Sequence, residues 1–283
     1  MTSDPVETGL DGQGRKPEVK LSVSNARKIY PIANGWLEAL AGVSVDVIEG
    51  HFVSLLGPTG CGKTTLLWAM AGLHSLTEGT VILEGAIVTR PRPERAGMVF
   101  QEANLLPWRS IRKNIEFPFE IRHKKVDDER IDHLLMRTGL DGFQDAYPRQ
   151  LSGGMQQRAS IVRALAQDPE VLFMDEPFSA LDAFSREEMN DLFVQLWSEA
   201  DKTAVFVTHN IDEAVFLSDE VVVMTPRPGR VARVFAVDLP RPRLPQVRFD
   251  PRFIRLTQEI KVSISGDSVL GNKPEPADGA AND

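Results

Sequence analysis

An α/β fold is predicted: a parallel sheet covered by helices on both faces, a small antiparallel β subdomain beside it, and an inserted helical subdomain. Three features predict it. Residues 52–56, 171–174, 204–207 and 221–224 are short, continuously apolar or nearly so, and separated by helical stretches. That is the pattern of parallel strands buried on both faces. Residues 19–30 and 40–48 instead alternate apolar with polar, as half-buried antiparallel strands do. Residues 102–165 change character again, to charged segments at helical spacing.

The chain has 283 residues, 42% hydrophobic and 25% charged. That suffices for one large domain or two small ones. A net charge of −8 argues against a protein built to coat nucleic acid or an anionic membrane surface. The single cysteine, Cys61, excludes an intrachain disulfide and fits a reducing cytosol. Its place at a helix start would lower its pKa, but a small residue tolerated in a loop is the plainer reading. No stretch reaches the roughly 18 consecutive apolar residues of a membrane-spanning helix. Residues 1–7 lack the basic start and apolar core of a secretory signal. A cytosolic protein is expected, unless a partner holds it to a membrane.

In chain order, residues 1–17 are polar, rich in Gly, Asp and Pro, and expected as a disordered tail. Val19, Leu21 and Val23 share one face of the first strand. Asn34-Gly35 marks a loop, and Glu49-Gly50 turns the chain into the strand at 52–56. Residues 79–85 and 97–101 read as further short strands. Within 127–138, Ile131, Leu134 and Leu135 recur at helical spacing. From Thr225 the chain is rich in Pro and Arg. The main domain is expected over 18–245, an extension over 246–264 and a disordered tail over 265–283.

The chemistry centres on Gly57-Pro58-Thr59-Gly60-Cys61-Gly62-Lys63-Thr64. It fits G-x-x-x-x-G-K-[ST], a loop whose backbone N–H groups converge on phosphates. A strand precedes it and a helix starting near Thr65 follows, with Gly72 suited to the C-terminal cap. Lys63 can reach the β- and γ-phosphates and the Thr64 hydroxyl can ligate Mg²⁺. Asp175-Glu176 follows the apolar run at 171–174. Asp175 suits a Mg²⁺ shell, and Glu176 is placed to polarise an attacking water. Leu151-Ser152-Gly153-Gly154-Met155-Gln156-Gln157-Arg158 adds a second glycine-bearing helix start, with Ser152 as cap. Its local residues alone fit a plain Ser-capped helix equally well. His51, His74, His123 and His133 show no ligand spacing.

In this order the phosphate loop, Gln101, residues 151–158, Asp175-Glu176, Ser179-Ala180-Leu181-Asp182 and His209 resemble the ATP-binding cassette (ABC) ATPases. The resemblance spans roughly residues 19–240. It implies a P-loop NTPase core of the RecA-like type, binding ATP and Mg²⁺. It implies that residues 57–64 and Thr65 bind the triphosphate. Thr64, Gln101 and Asp175 would face Mg²⁺, with Glu176 as general base and His209 as switch histidine. Tyr30 falls where the family stacks an aromatic ring on adenine. Ser152, Gly153, Gly154 and Asp182 would face the ATP held by a second copy, so that two subunits enclose two ATPs head to tail.

Gln101-Glu102-Ala103-Asn104-Leu105-Leu106-Pro107-Trp108 resembles the subgroup that powers import of nitrate, sulfonates and taurine. So do Pro226-Arg227-Pro228-Gly229-Arg230 and Asp238-Leu239-Pro240-Arg241-Pro242-Arg243. The partners implied are transmembrane permease subunits and, indirectly, a periplasmic or extracytoplasmic substrate-binding protein, with no nucleic acid. The place implied is the cytoplasmic face of the inner membrane. Trp108 fits equally a core position or the groove that receives a permease helix. An ABC exporter or lipid-trafficking ATPase is the alternative. A soluble ABC protein acting on ribosomes or DNA is disfavoured by the single cassette and the absence of long heptads. A phosphate-loop kinase leaves residues 151–158 without a role.

Overall fold

Period-two alternation along five parallel strands divides the molecule into two cores. The computed structural model describes residues 18–198 and 202–270. β1 (Val19–Ile32) and β2 (Gly35–Ile48) form an antiparallel hairpin around Ala33-Asn34. β3 (Phe52–Leu56) leads through the phosphate loop into α1 (Lys63–Met70). β4 (Glu78–Leu83) and β5 (Ala86–Ile87) complete a four-stranded antiparallel sheet ordered β2-β1-β4-β5. After β6 (Ala96–Val99) come α2 (Ile111–Ile121), α3 (Asp128–Arg137) and α4 (Gly153–Leu165). The chain continues through β7 (Val171–Asp175), α5 (Ala183–Ser198), β8 (Thr203–Thr208), α6 (Ile211–Leu217) and β9 (Glu220–Met224). β10 (Val231–Ala236) and α7 (Pro251–Leu270) close it. The second sheet is ordered β10-β9-β3-β8-β7-β6, parallel throughout except for β10.

Val53, Leu55, Phe173, Val205 and Val207 pack with Leu66, Leu67 and Met70 of α1 and with the four-stranded sheet. Their strand neighbours Phe52, Leu56, Leu172, Met174 and Phe206 enter the opposite core with α4, α5 and α6. Both faces are therefore buried, which is why these strands read as near-continuous apolar runs. Phe52 meets Phe193 and Trp197 of α5 edge-on, with ring centroids 5.9 and 5.4 Å away, the favoured aromatic geometry. The helical insertion has no separate core. Ile115, Ile131 and Leu135 join the same cluster through Ala159, Ile161 and Val162 of α4. α3 is bounded as its sequence suggests: the Asp127 side chain accepts from Arg130 N, and Thr138 is the C-cap.

Two expectations are corrected, and one strand was not foreseen. Val19 is not on the buried face: the β1–β2 register shifts between Val19 and Leu21, leaving Val19 exposed while Leu21 and Val23 are buried. The Pro- and Arg-rich stretch after Thr225 contains a further strand, β10, whose alternation is too weak to read because only Phe235 along it is buried. The tail expected to be disordered from residue 265 is helical as far as Leu270. Phe253 and Ile260 anchor that helix in the main core. The expectations for 1–17 and 271–283 lie outside the described residues.

Residues 105–110 are pinned by one side chain. Asn114 is fully buried; its Oδ1 accepts from Leu106 N at 2.6 Å. Its Nδ2 donates to the carbonyls of Leu106, Arg109 and Ser110 at 3.1, 3.0 and 3.0 Å. Asn114→Ala should strand these groups at a cost of about 2–3 kcal/mol, read as a lowered midpoint in urea unfolding. Trp108, on that loop, is 71% exposed, so the core reading does not hold for it.

Candidate active site

The phosphate loop takes its shape from positions only glycine can occupy. Gly62, at φ 103°, caps α1. A Cβ there would lie 2.8 Å from both the Ala39 carbonyl oxygen and the Leu40 side chain. α1 begins with no side-chain cap and no acidic residue in its first turn. Its first N–H groups therefore stay available to an anion, where a polyphosphate fits. Lys63 is buried beneath the loop. Its Nζ donates to the Gly57 and Pro58 carbonyls at 2.9 and 3.1 Å and lies 3.7 Å from Glu176 Oε1. Beyond α1, Gly72 has φ +74°, the left-handed residue that commonly follows a helix end.

Asp175, the last residue of β7, is buried and accepts from Thr64 Oγ1 at 2.8 Å and Trp68 Nε1 at 3.1 Å. Burial pushes its carboxyl above the usual range, and the two hydrogen bonds oppose this. A buried carboxylate touching a threonine hydroxyl is an oxygen donor set that fits Mg²⁺. Glu176 sits at φ 44°, an uncommon conformation for a non-glycine residue. Its Oε2 lies 2.9 Å from His209 Nδ1 at the end of β8.

These groups line one cleft of about 450 Å³. Tyr30, Thr59, Gly60, Gly62, Lys63, Thr64, Thr65, Gln101, Glu176 and His209 all reach it. Gly57 and Pro58 serve it from below through Lys63, and Asp175 through Thr64. Cys61 turns away into the core. Burial pushes its thiol up despite the lowering effect of Lys63, which corrects the expected depression and removes it as a reactive thiol.

Ser152, Gly153, Gly154 and Asp182 do not line this cleft. Ser152 accepts from Met155 N at 3.3 Å and caps α4. Asp182 accepts from Phe184 N and Ser185 N, each at 3.1 Å, and from Ser185 Oγ at 2.7 Å. The Ser185 hydroxyl above all holds its carboxyl below the usual range. A Cβ added at Gly153 would meet nothing within 4 Å, and one at Gly154 only Leu181 Cδ2 at 3.8 Å.

Four contributors escaped the sequence reading. Leu37 and Ala39 of β2 and Arg227 line the cleft. Glu213 is buried and accepts from Thr208 Oγ1 at 2.6 Å, bracing the strand end that presents His209. Burial raises its carboxyl pKa. The Asn210-to-Glu213 spacing, N-cap to third helical residue, was its available signal. Among the described residues no group of three or more His, Cys, Asp or Glu side chains is placed to hold a metal ion.

Known proteins resemble this chain in sequence and in fold. The family described as ABC transporter matches residues 40–179. An uncharacterized ABC transporter ATP-binding protein of Methanocaldococcus jannaschii is 48% identical, over 89% of this chain and 94% of its own. The taurine import ATP-binding protein TauB of Roseobacter denitrificans is 41% identical, over 91% and 99% respectively. A dimeric ATP-binding cassette in a post-hydrolysis state, bound to ADP and Pi, superposes with a TM-score of 0.69 at 31% identity, covering 77% of this chain and 99% of its own. The chain belongs to the ATP-binding proteins of ABC transporters. It binds ATP and is an ATPase whose activity is coupled to transport.

Proposed function

We propose that this ATPase energises import of small compounds such as nitrate, sulfonates or taurine through separate permease subunits, working as a pair of identical chains. The observation that carries the importer reading is the surface behind Gln101. Leu105 packs inward against the main core, while Trp108 stands 71% exposed on a loop fixed by Asn114. An exposed aromatic side chain on a loop pinned at its backbone is suited to a protein contact. Similarity to TauB and to the aliphatic sulfonates import ATP-binding protein SsuB of Bacillus cereus, 40% identical over 79% of this chain and 88% of its own, supports the substrate class. Among the described residues no helix is long and apolar enough to cross a membrane. The permease would thus hold the chain at the cytoplasmic face, with a substrate-binding protein on the far side.

In the proposed mechanism residues 57–64 and Thr65 hold the triphosphate, with Lys63 on its β- and γ-phosphates and Tyr30 against the base. Thr64, Asp175 and Gln101 would hold Mg²⁺, which supplies charge neutralisation on the phosphates. Glu176 takes the proton of the attacking water, and His209 fixes the Glu176 carboxylate. Ser152, Gly153, Gly154 and Asp182 complete the site of the second copy. Turnover then requires the two copies to close, which makes hydrolysis a mechanical cycle.

Trp108→Ala should leave ATP binding unchanged and weaken co-purification with the permease by about 2 kcal/mol, some 30-fold. Uptake of taurine or nitrate by cells carrying the variant is the second readout. Parental assembly and uptake would overturn the docking assignment.

A further inference from the structure

The turn between β9 and β10 reaches the nucleotide cleft through Arg227, and it is built rigidly. Thr225 N donates to Arg230 O at 2.9 Å, and Arg230 N to Thr225 Oγ1 at 3.1 Å. The turn is then tied to β2. Gly229 N donates to Ala39 O at 2.9 Å, Ala41 N to Gly229 O at 3.0 Å, and Arg230 Nη1 to Ala41 O at 2.9 Å. The fit against the phosphate loop is close. A Cβ on Gly229 would lie 2.1 Å from the Cys61 carbonyl oxygen, so only glycine fits there.

This anchoring sets Arg227 over the loop. Its Nε donates to the Gly60 carbonyl at 3.1 Å. Its Nη2 lies 2.9 Å from where a Cβ of Gly60 would stand. Arg227 is exposed, lines the cleft, and pairs with no carboxylate among the described residues. Of the side chains lining the cleft, only Lys63 and Arg227 are permanent cations. Lys63 serves the inner end, beside Glu176. Arg227 stands over Gly60 of the loop, in the same cleft that Tyr30, Leu37 and Ala39 line.

We propose that Arg227 is a second cationic contact for the bound nucleotide, gripping a phosphate that ATP and ADP share. The inference rests on the cleft being the nucleotide site. A guanidinium whose Nε is held on Gly60 O keeps its two terminal nitrogens free to donate to one phosphate. Such a contact is made by ATP and ADP alike. It tightens binding of both equally and leaves the chemical step alone.

Calorimetric titration of the full-length protein with ATP and with ADP, without Mg²⁺, tests this. Arg227→Gln should weaken both nucleotides about tenfold, raise KM for ATP by a similar factor, and leave kcat within about twofold. Arg227→Lys, which keeps the charge, should recover most of the ADP affinity. Arg230→Gln, which removes one side-chain tie but leaves the backbone bonds of Gly229 to Ala39 and Ala41 in place, should leave both affinities within about twofold. Loss for ATP alone, no loss for either nucleotide, no recovery with lysine, or an equal loss in Arg230→Gln would each overturn the proposal. Lys63→Ala is the separate control: if it binds ATP as the parent does, the cleft itself has been misassigned.

Discussion

Glu176→Gln is expected to lower ATP hydrolysis about 10²- to 10³-fold while leaving ATP binding intact, as a lost general base does. The substitution keeps the size and shape of the side chain but removes its capacity to take a proton. Its surroundings favour retention of the fold. The backbone of residue 176 is fixed by donation to Val207 O at 3.0 Å and by accepting from Ser179 Oγ at 2.9 Å, neither of which involves the carboxylate. The carboxylate itself faces Lys63 Nζ at 3.7 Å and His209 Nδ1 at 2.9 Å. Losing its charge also removes a negative group from a pocket meant for a triphosphate, so ATP affinity should hold or rise. Phosphate release in the steady state, set against equilibrium ATP binding, checks both halves. A variant hydrolysing within a few-fold of the parent would move the base elsewhere.

The fold was legible where local chemistry and tertiary context agree. Five strands buried on both faces leave few polar residues, and the alternating β1–β2 hairpin leaves polar ones at every second position. What escaped depends on long-range contacts. β10 shows one buried residue, so its pairing with β9 carries it rather than its pattern. α7 is ordered by Phe253 and Ile260 reaching the main core, and its exposed positions do not announce that. The same division holds at the cleft. The phosphate loop and Asp175-Glu176 are contiguous and carry recognisable spacing. Arg227 reaches Gly60 across 167 residues of chain. Its sequence neighbourhood suggested a subgroup but no contact. Asn114 looks like one polar residue in an amphipathic helix, and only its three carbonyl partners show that it fixes the Trp108 loop.

Gly153→Asp is expected to abolish hydrolysis while leaving both fold and ATP binding intact. The usual reasons for glycine are missing at this position. Among the described residues, nothing beyond its chain neighbours and its own helix approaches within 4 Å of the Cβ it would carry, and it lies in the first turn of α4 without a positive φ. A glycine in a helix is less stable than alanine by about 1 kcal/mol, and an aspartate in a first turn is favoured by the helix dipole. Judged within one chain, Gly153→Asp should be neutral or slightly stabilising. The adjacent Ser152 cap needs only its own oxygen and Met155 N. A severe loss of turnover would therefore have to arise outside the chain, where a new carboxylate at an exposed helix start meets the phosphates of an ATP held by the second copy. Circular dichroism and thermal unfolding should match the parent, and binding at Lys63 should persist. ATP-dependent dimerisation in size-exclusion chromatography should disappear together with hydrolysis. Ser152→Arg should behave alike, with about 1 kcal/mol of stability lost with the cap. Parental hydrolysis in Gly153→Asp would mean that a single chain completes its own site and that residues 151–158 do no more than start a helix.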